Sequence, residues 1–271
     1  MLDLDQQFMF KGQAIAWGSM GEGSPVVLIH GFPWSAQAWR HIAPWIAQRH
    51  KVYYYDMLGC GVSEKSGEQQ VGEDVQNVLL NALIDHWQLD RPQVIAHDFG
   101  GLAALRGHFI DGIAYGSLHL IDAVAVLPSG SPFYRHVAGY EAAFAGLPPY
   151  AHDALFRAYI GQAVHYPLKE EAVEVYAAPW RGETGQPAFY RHIAQSDTRN
   201  IEEVQERYEK CAFRVHLIWG AHDRFIPPSR GRELAGLLDA DSFTLVPNAG
   251  HLVHEDVPES IVGVLLKNLD L

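Results

Sequence analysis

The residues best suited by type to do chemistry in this 271-residue chain are two aspartates and a histidine, each lying just after a short apolar run. Asp98 is the middle of Ala96-His97-Asp98-Phe99-Gly100. Small residues two before and two after allow a sharp turn between strand and helix that exposes the central side chain. Asp223 closes Gly220-Ala221-His222-Asp223, and His251 closes Asn248-Ala249-Gly250-His251. A carboxylate on such a turn is ionised at neutral pH, so it can attack an electrophilic carbon without a base. An imidazole oriented by a second carboxylate can then take a proton from water. The chain has no G-x-S-x-G, and Ser63 belongs to a different turn, Gly59-x-Gly61-x-Ser63, so a serine esterase is disfavoured.

Each of these residues also has a plainer reading. Asp98 suits a helix N-cap, but the flanking His97 and the paired Gly100 and Gly101 favour an exposed nucleophile. Asp223 could shape a turn; its place after an apolar strand, 28 residues before His251, favours a role as the orienting acid. A Gly-His pair after a strand is a poor place for a core histidine. Asp122 follows another strand and is the reserve acid, whereas His222 and His254 read as structural.

The elements that must bring these loops together are legible as unalternating apolar runs. Val26 to Ile29, Val52 to Tyr55, Val94 to Ala96, Leu118 to Ile121, Val215 to Trp219 and Phe243 to Val246 have the pattern of strands buried on both faces. Val75, Val78, Leu79, Ala82 and Leu83 fall on one helical stripe between two of them. The fold class is α/β, with a mostly parallel, doubly wound sheet. In such sheets ligands bind beyond the carboxyl ends of the strands, where the loops above lie.

Strand ends near 121 and 219 are 98 residues apart, although a strand-helix-strand unit needs only ~30. The stretch from 123 to 212 therefore reads as an inserted helical cap on a core of 1–122 and 213–271. It holds eight of the twelve tyrosines and seven of the fifteen prolines, and ordinary packing accounts for most of those tyrosines.

Composition narrows the function classes. With 20 Lys plus Arg against 32 Asp plus Glu, the net charge is −12, which opposes nucleic acid as a partner. The two cysteines, Cys60 and Cys211, form no C-x-x-C pair, and the 15 histidines are scattered, so neither a metal nor another cofactor is expected. The apolar runs are far short of a membrane span. The opening MLDLDQQFMFKG carries acids where a secretory signal has bases, so a cytoplasmic location is expected. The expected partners are a small-molecule substrate and water, and oligomeric state is not encoded in any motif.

These motifs together resemble the α/β-hydrolase superfamily, specifically its aspartate-nucleophile branch of epoxide hydrolases, haloalkane dehalogenases and haloacetate dehalogenases. His30-Gly31-Phe32-Pro33 resembles the oxyanion loop, Asp56 to Ser63 the next strand's turn, His97 to Gly101 the nucleophile elbow, Trp219 to Asp223 the acid loop and Gly250-His251 the base. The resemblance implies an alkyl ester on Asp98, hydrolysed by His251 and Asp223, with the backbone N–H groups of Phe32 and Phe99 as oxyanion donors. Dehalogenases of this kind place a tryptophan after the nucleophile to hold halide; this chain has Phe99, so Trp34 or Trp180 would have to serve. Haloacetate enzymes carry arginines there, where this chain has Phe99 and Leu102. Epoxide hydrolases protonate the opening oxygen with cap tyrosines; Phe189-Tyr190-Arg191 resembles the segment that carries one, and Tyr134 or Tyr140 would supply the second. The resemblance implies epoxide hydrolysis first, with dehalogenation, ester or carbon-carbon hydrolysis, and ligand binding without turnover as alternatives.

Overall fold

In the computed structural model, residues 1–269 are described. Eight strands form one sheet: β1 (Gln6–Phe10), β2 (Gln13–Met20), β3 (Ser24–Ile29), β4 (His50–Tyr55), β5 (Gln93–His97), β6 (Ser117–Ile121), β7 (Arg214–Gly220) and β8 (Ser242–Val246). Their order is β1-β2-β4-β3-β5-β6-β7-β8. The pairs β1/β2 and β2/β4 are antiparallel and the rest are parallel.

Six of these strands are the apolar runs read from the sequence, but β8 is not buried on both faces as read: it lies at the sheet edge and only its Val246 is buried. β1 at the sheet edge and β2 beside it escaped that reading because most of their residues are only partly buried or exposed, so a continuous apolar run is not required. The parallel strands separate two cores by the period-2 rule: Val27 and Ile29 face one cluster, Val26 and Leu28 the other. Every residue of β5 and β6 is buried.

On the core lie α1 (Ala43–Ile46), α2 (Glu73–His86) and α3 (Phe99–Phe109). Between β6 and β7 come α4 (Pro132–Gly139), α5 (Glu141–Ala145), α6 (Pro149–Ile160), α7 (Glu170–Ala177), α8 (Gly182–Gln195) and α9 (Arg199–Gln205), followed in the core by α10 (Pro228–Leu237), α11 (Val253–Asp256) and α12 (Pro258–Asn268). Among the described residues no helix is long and apolar enough to cross a membrane.

The chain passes from β3 to β4 on one side and returns to place β5 on the other, so β3 and β5 flank the point where the winding reverses. Loops leaving β3 and β5 must diverge there and leave a crevice. The helices of the long insertion cover it and are fixed to the core by polar ties. The Trp180 indole N–H donates to the Pro33 carbonyl at 2.8 Å, and Tyr176 donates to Glu255 at 2.6 Å. The buried Glu73 carboxylate, in the first turn of α2, accepts from the Ser196 hydroxyl at 2.8 Å, the Asn200 amide at 2.9 Å and the Asp197 backbone at 3.3 Å.

Removing a charged acceptor from several buried donors costs roughly 1–3 kcal/mol. Glu73→Ala is therefore expected to lower unfolding free energy by about 2 kcal/mol in denaturant titration. It should also raise amide exchange selectively over 196–205; exchange that rises uniformly would show that Glu73 is no local tie.

Candidate active site

Asp98 stands between β5 and α3 with φ 55° and ψ −125°, a backbone region that non-glycine residues rarely occupy. Such conformations cost of order 1–3 kcal/mol and persist only where the surroundings enforce them. Here the enforcement is close packing without side chains: a Cβ on Gly31 would sit 2.3 Å from Asp98 Oδ1, and one on Gly100 would sit 2.4 Å from the His30 carbonyl oxygen. Any larger residue would force the two loops apart.

The loop after β3 supplies the partner of one carboxylate oxygen. The Phe32 N–H donates to Asp98 Oδ1 at 3.0 Å. His30 stabilises that loop by bonding the Gly31 carbonyl through Nδ1 and accepting the Met57 N–H at Nε2. Asp56 accepts from the backbones of Ala36 and Val62, and the Ser63 hydroxyl donates to the Asp56 carbonyl. Ser63 and the turn around it thus hold loops in place.

The other oxygen, Asp98 Oδ2, lies 3.1 Å from His251 Nε2, and His251 Nδ1 lies 2.9 Å from Asp223 Oδ2. Asp223 Oδ1 accepts from the Phe225 and Ile226 N–H groups at 2.7 and 2.9 Å, which fixes the carboxylate plane. The His251 carbonyl is held in turn by the His97 ring at 3.0 Å. Residues 28 and 153 positions apart in the chain are thereby joined in one chain of bonds.

Burial alone would raise the Asp98 carboxyl, but the hydrogen bond and charge of His251 outweigh it and hold it below the usual carboxylate value. Burial likewise opposes a charged His251, yet Asp223 and Asp98 together hold its imidazolium well above 6.5. Burial and then the Asp223 charge push Asp122 far up, so it is a neutral acid. Asp122 Oδ1 accepts the Gly220 N–H at 2.8 Å, while Oδ2 has no partner among the described residues. Asp122, Asp223 and His251 offer three atoms within 4.8 Å of one another, but both His251 nitrogens are already engaged by carboxylates. The cluster is built to hold protons.

Asp98 forms part of a cavity of about 510 Å³, which Phe99, Tyr134 and Tyr159 also line. The Tyr134 ring stacks on Phe99 at 6.4 Å, and the Tyr134 and Tyr159 hydroxyl oxygens share a hydrogen bond at 3.3 Å. Burial raises both phenols, keeping them protonated. Tyr159 was not singled out in the sequence; nothing in its neighbourhood on α6 distinguishes it from seven other tyrosines of the insertion.

The remaining expected leaving-group residues, Tyr190, Tyr140, Trp34 and Trp180, are not among the residues that line this cavity. Tyr190 is fully buried, with its hydroxyl on His152 Nδ1 at 2.9 Å; His152 is set to accept there because its other nitrogen meets the Trp180 carbonyl. Tyr140 is 60% exposed. The Trp180 indole N–H is spent on Pro33, whereas Trp34 packs its ring against Tyr176 at 5.0 Å and its buried indole N–H has no partner among the described residues. Of the five, only Tyr134 is among the residues lining the cavity with Asp98.

Comparison with known proteins agrees with this fold. The Alpha/beta hydrolase family matches residues 26–264. The chain belongs to that family. It is 26% identical to a soluble epoxide hydrolase of Corynebacterium sp. (strain C12) over 96% of this chain and 95% of the relative. It is 24% identical to haloalkane dehalogenase 2 of Mycobacterium bovis over 91% and 88% of the two chains. A crystal structure of an α/β-hydrolase fold protein from Burkholderia ambifaria superposes with a TM-score of 0.97 at 53% identity, covering 99% of each chain. This α/β hydrolase is thus a hydrolase-family enzyme whose relatives include both chemistries.

His251 and Asp98 make opposite contributions to stability across pH. His251, held above its unfolded value, stabilises the fold fully below about pH 6.5 and loses that contribution as pH rises through the folded value. Asp98, held low, stabilises above about pH 3.9 and loses its share as pH falls through its own folded value. Asp98→Asn removes one of the charges that raise His251, so its imidazole should titrate at lower pH in NMR of the ring Cε1–H. An unchanged titration would mean that Asp98 does not carry the charge assigned to it.

Proposed function

We propose that this α/β hydrolase opens epoxides through a covalent ester on Asp98. The observation that carries the reading is the tyrosine pair: Tyr134 and Tyr159 are protonated hydroxyls on the cavity that Asp98 lines, where an opening oxirane needs a proton. Only one proton is used within the pair, leaving another for the substrate. A halide would instead need N–H donors, and the residue after Asp98 is Phe99.

In the first step Asp98 Oδ2 attacks an oxirane carbon, the carbon–oxygen bond breaks, and a tyrosine hydroxyl gives its proton to the departing oxygen. The ester has no charge on Asp98, so one of the two carboxylates that keep His251 protonated is lost. His251 then releases its proton, which restores the tyrosine, and becomes a base.

In the second step His251 Nε2 takes a proton from water as the hydroxide adds to the Asp98 carbonyl carbon. The oxyanion formed on Oδ1 meets the Phe32 N–H already bound there, with the Phe99 backbone N–H as its second donor. Collapse expels the diol oxygen, which takes the proton from His251, and the Asp98 acid returns its own proton to the imidazole. Epoxide and water give diol, with every group reset.

Asp98 needs no base, so His251→Gln should alkylate but not hydrolyse. Intact mass should rise by one substrate mass, with peptide mapping placing it on Asp98. In one turnover of the wild type in heavy-oxygen water, label should enter Asp98 before it enters product. Label entering product directly, with no adduct in the variant, would overturn the covalent route.

The tyrosines separate in the same assay. Tyr134→Phe should slow alkylation by roughly 10²-fold, the usual order for losing a general acid. Tyr190→Phe should leave it within about threefold, since that hydroxyl serves His152. The reverse ranking would return the donor role to Tyr190.

A further inference from the structure

The cavity over Asp98 changes character from floor to mouth. Asp98 is 4% exposed, and the walls carry apolar side chains of Phe99, Val124, Ile193, Ile201 and Phe225. Farther out the lining is polar and includes Ser129, Ser131 and Thr198 together with two exposed arginines, Arg135 and Arg224. Arg135 comes from α4 and Arg224 from the loop after β7, so the insertion and the core each supply one.

These two arginines lack the carboxylate partner that many arginines of this acidic chain have. Acids outnumber bases 32 to 20, and Arg40, Arg106, Arg157, Arg181, Arg191 and Arg199 each meet a carboxylate. Arg135 has only the Gly130 carbonyl, at 3.2 Å, and Arg224 has no hydrogen bond or ion pair among the described residues. Besides Asp98 on the floor, the one acid on the same lining, Asp197, is held by Arg199 in a short double contact. The rim therefore keeps two guanidinium groups with no carboxylate partner among the described residues, on a molecule of net charge −12. Such a molecule repels anions at long range, so a local cationic rim has value only for a ligand that is itself anionic.

We propose that the substrate is an amphiphile: an apolar stem with the reacting carbon at Asp98, and an anionic head group, carboxylate or phosphate, held at the mouth by Arg135 and Arg224. Planar guanidinium groups bind either anion through paired N–H donors. The reacting end rests on the epoxide reading above, whereas the head group does not. Rim charges in water are screened by salt, so the preference for an anion weakens as ionic strength rises.

The test separates the two parts. Decanoate, decyl phosphate and decanamide share a stem and lack an oxirane, so their binding is measured by calorimetry without turnover. Wild-type protein at low salt should bind one or both anions about tenfold tighter than the amide, and that advantage should shrink at high salt. The double variant Arg135→Gln, Arg224→Gln should lose the advantage while binding decanamide as before. The carboxylate and phosphate arms decide between the two head groups. Equal binding of all three by the wild type, or an advantage that survives in the double variant, overturns the proposal.

In a parallel arm, 9,10-epoxydecanoate and its amide are offered as substrates. A kcat/KM about tenfold higher for the acid, lost in the double variant, is the expected result. Anion binding that follows the arginines with no turnover of either epoxide would uphold the head-group site and bring down the epoxide reading instead.

Discussion

One imidazole between two buried carboxylates sets the terms for the rest of this molecule. Three ionisable groups withdrawn from water would be costly if left alone, because burial of an unpaired charge is among the most destabilising events in a fold. Each is compensated here by a bond to its neighbour and by backbone N–H groups: Phe32 on Asp98, Phe225 and Ile226 on Asp223. Asp122 joins them as a neutral acid, so the site gains a fourth polar group without a further charge. The loops after β3, β5, β6 and β7 exist in their observed shapes because this set of bonds allows little else.

The sheet does the long-range part of that work. Parallel strands put their carboxyl ends on one edge, and the pairing of β5 with β6 and β6 with β7 places residues far apart in sequence side by side. The Asp98 N–H reaches the Ile121 carbonyl and the Asp122 N–H reaches the Ile218 carbonyl, so each turn begins while still attached to the next strand. What remains is local: a positive φ at Asp98 and glycine where its neighbours press close.

Asp98, Asp223 and His251 could be singled out as candidates from sequence because each follows a strand, and unbroken runs such as Val26 to Ile29 or Leu118 to Ile121 announce such strands. The position of a loop after a strand is a one-dimensional fact. The direction of a tyrosine in an inserted helix is not. Tyr190 is turned away by His152, and Tyr159 is turned inward beside Tyr134, and both outcomes depend on packing between helices that no local pattern records. The edge strand β1 and its neighbour β2 were hidden for a related reason, since their partly exposed residues need not be apolar.

Phe32 has two attachments that pull in different directions of the fold. Its N–H serves Asp98, while its ring stacks on Phe189 at 5.3 Å and His192 at 5.0 Å, both from the helical insertion, and the next residue, Pro33, receives the Trp180 indole. The insertion is therefore not an interchangeable cover. A chimaera that keeps the sheet and borrows another protein's helices would move the donor that an oxyanion on Asp98 relies on, unless it also reproduced the aromatic contacts under Phe32. Substitution is constrained in the same way: Phe32, Phe189 and Trp180 pack as one aromatic seam that has to change as a unit.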